Sequence, residues 1–140
     1  MTPKTQIYRQ HHADVRTLVA KIESQLDLRR IENDAAPIAQ VVRDLFGKFG
    51  IHLAMEDANL YPRLSQHTDP ALRDAAIRFQ KEMGGLKDRF DRYRQTWPGP
   101  LAISGNPSGF LAETRDILDA LKHRIAREEG GLYDLYDKAA

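Results

Sequence analysis

Apolar residues return every three or four positions along most of this chain, and that period decides more about its fold than any other feature. Ile7, Val15, Leu18, Val19, Ile22 and Leu26 form one such stripe, with Arg, Lys, Asp and Glu between them. The spacing matches the turn of an amphipathic α-helix and not the alternation of a strand, so it predicts a first helix from about Lys4 to Arg30. Glu32-Asn33-Asp34-Ala35-Ala36-Pro37 is a break, because Asp or Asn caps a new helix and Pro suits its first turn. A second helix carries Val41, Val42, Leu45, Phe46, Phe49, His52, Leu53, Glu56 and Leu60, and is expected to stop at Pro62. Thr68-Asp69-Pro70 opens a third, with Leu72, Ile77, Phe79, Met83, Leu86, Phe90 and Tyr93. Trp97 to Gly109, rich in Pro and Gly, reads as the longest loop, and a fourth helix follows from about Ser108 to Leu132.

Four helical stretches and no strand signal predict an all-α fold, an up-and-down antiparallel four-helix bundle, because moderate links favour antiparallel neighbours that bury their stripes together. At 140 residues the chain is long enough for a single domain, 1–140, and for one core. Its 21 basic and 20 acidic side chains leave a net charge of +1, too weak a field to hold nucleic acid or an anionic membrane. The N-terminal decapeptide is polar and no run is apolar enough to span a bilayer, so no membrane association and a cytoplasmic location are expected. There is no cysteine, which removes disulfides, thiolate metal sites and thiol catalysis together. A metal would have to be held by nitrogen and oxygen, which makes the five histidines informative.

His52 and Glu56 stand four apart, on one face of the second helix. His123 and Glu128 stand five apart on the fourth, a wider step that a long carboxylate can span. His12 is in register with Val15 and Val19, and the neighbouring His11 is the alternative on that helix. A core histidine can be purely structural, and a His and Glu four apart can be a surface pair worth a few tenths of a kcal/mol. The set gains meaning because its members fall on inward faces, where an unpaired carboxylate costs several kcal/mol. Imidazole suits iron, zinc, copper and nickel, and a bridging carboxylate is what a pair of like-charged cations needs to sit close together.

A histidine on the first helix, His52-x-x-x-Glu56 on the second and His123-x-x-x-x-Glu128 on the fourth resemble the hemerythrin-like, or HHE cation-binding, family over nearly the whole chain. Glu56-Asp57-Ala58-Asn59-Leu60-Tyr61-Pro62 looks like the family's acidic pair with its leucine, aromatic and proline stop, and Glu128-Glu129-Gly130-Gly131-Leu132-Tyr133 echoes it. The resemblance implies non-haem iron, one or two ions, ahead of zinc or manganese, with His12, His52, Glu56, His123 and Glu128 as metal ligands. It also implies oxygen, nitric oxide or peroxide as small ligands, in sensing, scavenging or iron handling, with a homodimer left open. The third helix departs from the family, with Met83 and Lys87 where histidines are expected. Glu82, Tyr8 or Tyr93 are candidates to replace the missing donors, and a metal-free regulatory or interaction module is the alternative function. Gly84-Gly85 predicts a kink there, or space for a pocket beside the metal.

Overall fold

The computed structural model describes residues 4–139, and among these residues the chain is helical with no strand. The first stripe forms α1 (Gln6–Gln25), which packs along α3 (Ala36–Met55). The expected long first helix is broken at Leu26-Asp27, after which α2 (Leu28–Asn33) follows. The cause is local: Asp27 takes extended backbone and its carboxylate accepts from the Arg30 amide at 3.0 Å, capping a new helix instead of continuing the old one. Pro37 sits in the first turn of α3, as expected.

Pro62 does not end its helix. The chain widens into a π turn, Glu56–Leu60, and continues as α4 (Tyr61–Ser65) with Pro62 inside its first turn. A proline ring clashes with the carbonyl four residues back in a regular helix, and a wider turn relieves that clash. A second π turn, Glu128–Tyr133, follows α8 (Pro107–Arg127) and leads into α9 (Asp134–Lys138). There it is Gly130-Gly131 that loosens the helical register.

The third helix is two helices, α5 (Pro70–Met83) and α6 (Leu86–Thr96), divided at Gly84-Gly85. A Cβ at Gly84 would lie 2.6 Å from the Gln80 carbonyl oxygen, so this close approach requires glycine. The stretch read as a loop from Trp97 to Gly109 contains α7 (Pro100–Gly105) and the start of α8. Pro100 and Pro107 each occupy a first helical turn, where a missing amide costs nothing. No helix of the described residues is long and apolar enough to cross a membrane.

Two apolar clusters form. The larger gathers Val15, Val19, Ile22, Leu45, Phe49, Leu53, Leu86, Phe90, Phe110, Leu121 and Ile125 among others. The smaller holds Tyr8, Leu60, Tyr61, Leu64, Leu72, Phe79, Leu132 and Tyr133. Four stretches run from one cluster to the other, between Tyr8 and Val15, Leu53 and Leu60, Phe79 and Leu86, and Ile125 and Leu132. Each buried Leu, Ile or Phe contributes about 1.5–3 kcal/mol. That burial offsets the cost of the polar layer lying between the clusters.

Candidate metal centre

The layer between the clusters contains His12 from α1, His52 from α3, Glu56 and Glu128 from the starts of the two π turns, and Arg124 from α8. His12, Glu56 and Glu128 have no exposed surface, His52 retains 1% and Arg124 6%. His12 Nε2 lies 3.0 Å from His52 Nε2 and 3.3 Å from Glu128 Oε1. His52 Nε2 lies 2.9 Å from Glu56 Oε1. One donor atom each from His12, His52 and Glu128 falls within 4.8 Å of the others. Glu56 Oε1 and Glu128 Oε1 are buried without a hydrogen-bond partner, although such oxygens normally accept one. A cation placed among these atoms would supply what the two oxygens lack, so the residues present fit a metal.

Tyr61 and Tyr133 fix the carboxylates. Tyr61 donates to Glu128 Oε2 and Tyr133 to Glu56 Oε2, each at 2.6 Å, so each tyrosine holds the glutamate of the other stretch. Both tyrosines stand five residues after a glutamate of their own stretch. In an α-helix that separation is about 140° around the axis. In a π turn, with its bonds five residues apart, it brings the two side chains to the same side. Sequence reasoning missed both as site residues, although the repeated Glu-x-x-x-x-Tyr spacing was the available signal.

The imidazoles are held from behind. His12 Nδ1 lies 3.2 Å from Glu129 Oε2, and Glu129 is anchored in turn by Arg16. A proton on Nδ1 donated to Glu129 leaves the Nε2 lone pair directed into the layer. His11 is half-buried and places Nδ1 3.1 Å from His52 Nδ1. Of the two adjacent histidines, His12 enters the layer and His11 backs His52.

His123 is not among the converging groups. It is exposed on α8, and the inward position is occupied by the next residue, Arg124. One residue turns a helix by about 100°, and the stripe of Leu121, Ile125 and Glu128 carries position 124 inward. The expected His123 contribution is thus corrected to a guanidinium. Arg124 Nη2 lies 3.5 Å from Glu56 Oε1, Nε lies 3.6 Å from Glu128 Oε1, and Nη1 donates to the Met83 carbonyl at 3.4 Å. The suggested substitute donors lie elsewhere: Glu82 pairs with Arg127 at 2.7 Å, and Tyr93 bonds to Thr114 at 2.6 Å within the larger cluster. Tyr8 presents its ring edge to His52, with centroids 6.2 Å apart. Lys87 is exposed, and Met83 packs against the smaller cluster.

Burial and the neighbouring His12 bring the His52 pKa down from 6.5 to about 4, so the ring is neutral with a free lone pair near pH 7. Burial and Glu56 push the Glu128 carboxyl above the usual carboxylate range, with His12 and Arg124 opposing. Burial works against the Arg124 charge, but Glu128, Tyr61 and Glu56 outweigh it and hold its pKa up. The His52 shift has a measurable consequence. Because its folded pKa is depressed, the unfolded chain takes up a proton first as pH falls from 6.5, and stability is lost until about pH 4. The slope is about 1.4 kcal/mol per pH unit, or about 3 kcal/mol across the window. Glu128 shifts the other way and opposes this, so the effect is read against His52→Gln. The stability advantage of the metal-free wild type over that variant is expected to shrink by about 3 kcal/mol between pH 7 and pH 4 in denaturant titrations.

A family model described as Hemerythrin HHE cation binding domain matches residues 4–136. No curated protein and no solved structure matches the chain. The family match spans every stretch that contributes to the buried layer, and the chain belongs to the hemerythrin HHE cation-binding domain family.

Proposed function

We propose that this protein is a non-haem iron protein that handles oxygen, nitric oxide or peroxide, with the metal held by His12 Nε2, His52 Nε2, Glu56 and Glu128. The observation that carries this reading is the convergence, in a fully buried layer, of two imidazole nitrogens with two carboxylate oxygens that have no hydrogen-bond partner. Bound iron supplies a redox-active Lewis acid at that point. The chain's own residues do the rest. Tyr61 and Tyr133 hold the outer oxygens of the two carboxylates, Glu129 and His11 orient the two imidazoles, and the apolar clusters exclude water. A cleft of about 190 Å³, lined by Leu53, Tyr61, Phe79, Gly84, Lys87 and Arg124, reaches the Arg124 side of the layer and suits a small ligand. Gly84 therefore serves both the kink and the space that the sequence suggested.

The order in which the chain visits its two clusters supports a single domain of four antiparallel arms, with α1, α3–α4, α5–α6 and α8–α9 as the arms. A metal-free regulatory module is the second reading. Arg124 favours it, because one cation already faces both glutamates.

Anaerobic reconstitution with ferrous iron, followed by metal analysis after desalting, separates the two. Stoichiometric iron is expected, and a chain that retains none overturns the iron reading. Glu129→Ala removes the group that orients His12 without touching the layer, and is expected to weaken iron binding about 10–100-fold in competition with a chelator.

A further inference from the structure

We propose that the guanidinium of Arg124 is a built-in second cation, so that the centre takes one metal ion and not two. This rests on the metal-binding reading above and adds a stoichiometry to it. The chain contains an internal repeat. His52-x-x-x-Glu56-x-x-x-Leu60-Tyr61 and Arg124-x-x-x-Glu128-x-x-x-Leu132-Tyr133 have the same spacing, with arginine where the first copy has histidine. Tyr8 and His12 on α1, and Phe79 and Met83 on α5, are likewise each four apart.

The structure repeats these relations in space. Tyr8 packs on His52 and on Tyr133, with centroids at 6.2 and 6.1 Å. Phe79 stands in the same relation to Arg124, whose guanidinium carbon lies 5.5 Å from the ring, and to Tyr61 at 5.9 Å. Each glutamate is held by the tyrosine of the other copy. Arg124 thus holds, in the second half, the place that His52 holds in the first.

The two halves differ in what they offer a cation. The first half presents imidazole lone pairs from His12 and His52. The second presents a guanidinium, which has no lone pair to give and keeps its charge, and at the position matching His12 in the repeat it has Met83, whose thioether is a poor partner for a hard ion. Arg124 faces the same two oxygens a metal would use, Glu56 Oε1 and Glu128 Oε1, at 3.5 and 3.6 Å. With both carboxylates ionised, Arg124 and one divalent ion leave the layer at +1, whereas a second divalent ion would raise it to +3 where water cannot screen it.

The test counts metal and reads its spin. Wild type reconstituted with ferrous iron and then air-oxidised is expected to hold one iron per chain, with a high-spin ferric EPR signal that accounts for all of it. Two bridged ferric ions would couple and give little signal. Met83→His adds a ligand to the second half but keeps the guanidinium, and is expected to remain at one iron. Combining Met83→His with Arg124→His gives the second half the residues of the first, and is expected to raise the count to two and quench the EPR signal. Two irons in wild type or in Met83→His, or a double variant that folds by circular dichroism and stays at one, overturns the built-in cation while leaving iron binding intact. A wild type without iron removes the metal-binding reading itself.

Discussion

Arg124→Met is expected to lower the unfolding free energy of the metal-free chain by about 3–5 kcal/mol, a large part of what a domain of this size has. The change keeps an apolar stem of similar length but removes the guanidinium that lies over the Phe79 ring, so the loss is mainly electrostatic. Without the guanidinium, Glu56 and Glu128 face each other's charge with no cation between them, and both are fully buried. Burial and Glu56 already push the Glu128 carboxyl upward, and His12 and then Arg124 oppose this. Guanidinium chloride unfolding at pH 7 gives the number. Adding Glu128→Gln to Arg124→Met removes the uncompensated charge and is expected to restore most of the loss. Were Arg124→Met alone to cost less than about 1 kcal/mol, the two carboxylates would be sharing a proton and the arginine would not be holding the layer together. Iron is expected to stabilise Arg124→Met as well, because a ligand that binds only the folded state adds stability by mass action.

His52→Ala is expected to weaken iron binding by roughly 10²–10³-fold. Structural zinc held by four protein ligands is worth about 10–16 kcal/mol, or about 2.5–4 kcal/mol per ligand, and sets the scale. His52 also contacts three groups of the centre, with Nε2 at 3.0 Å from His12 and 2.9 Å from Glu56, and Nδ1 at 3.1 Å from His11. Its loss therefore removes a ligand and loosens two neighbours. His123→Ala is the control, expected to bind iron like wild type because that ring is exposed on α8 while Arg124 takes the inward position. Chelator competition on both variants tests the assignment. Equal binding by His52→Ala and wild type would contradict the proposed ligand set, as would a large loss on His123→Ala.

Parts of this centre were readable from the chain because they depend on helical period alone. His12, His52, Glu56 and Glu128 lie on apolar stripes, and the structure buries all four in one layer. His123 is of a metal-ligating residue type and Arg124 is not, yet the inward position belongs to Arg124. The stripe itself, and the four-residue step from Arg124 to Glu128 that copies His52 to Glu56, pointed to the neighbouring position. Tyr61 and Tyr133 were quoted as parts of a motif but not as site residues, since five residues on a regular helix point away from each other. Only the π turns bring them round.

The amino-acid sequence by itself determined that the chain is helical, where α1, α3, α5 and α8 start, and which side chains form most of the inward stripes. Those properties follow from the repeat of apolar residues and from caps such as Asp27 and Asp69, which act within a few residues. Tertiary structure decided what the inward groups meet. Pro62 became the interior of a helix once the turn before it widened, and each tyrosine found the glutamate of the opposite stretch. The arginine was set between two carboxylates that lie 72 residues apart in the chain. The difference is one of range: backbone period and capping are local, whereas the pairing of buried charges depends on which stretches the two apolar clusters draw together.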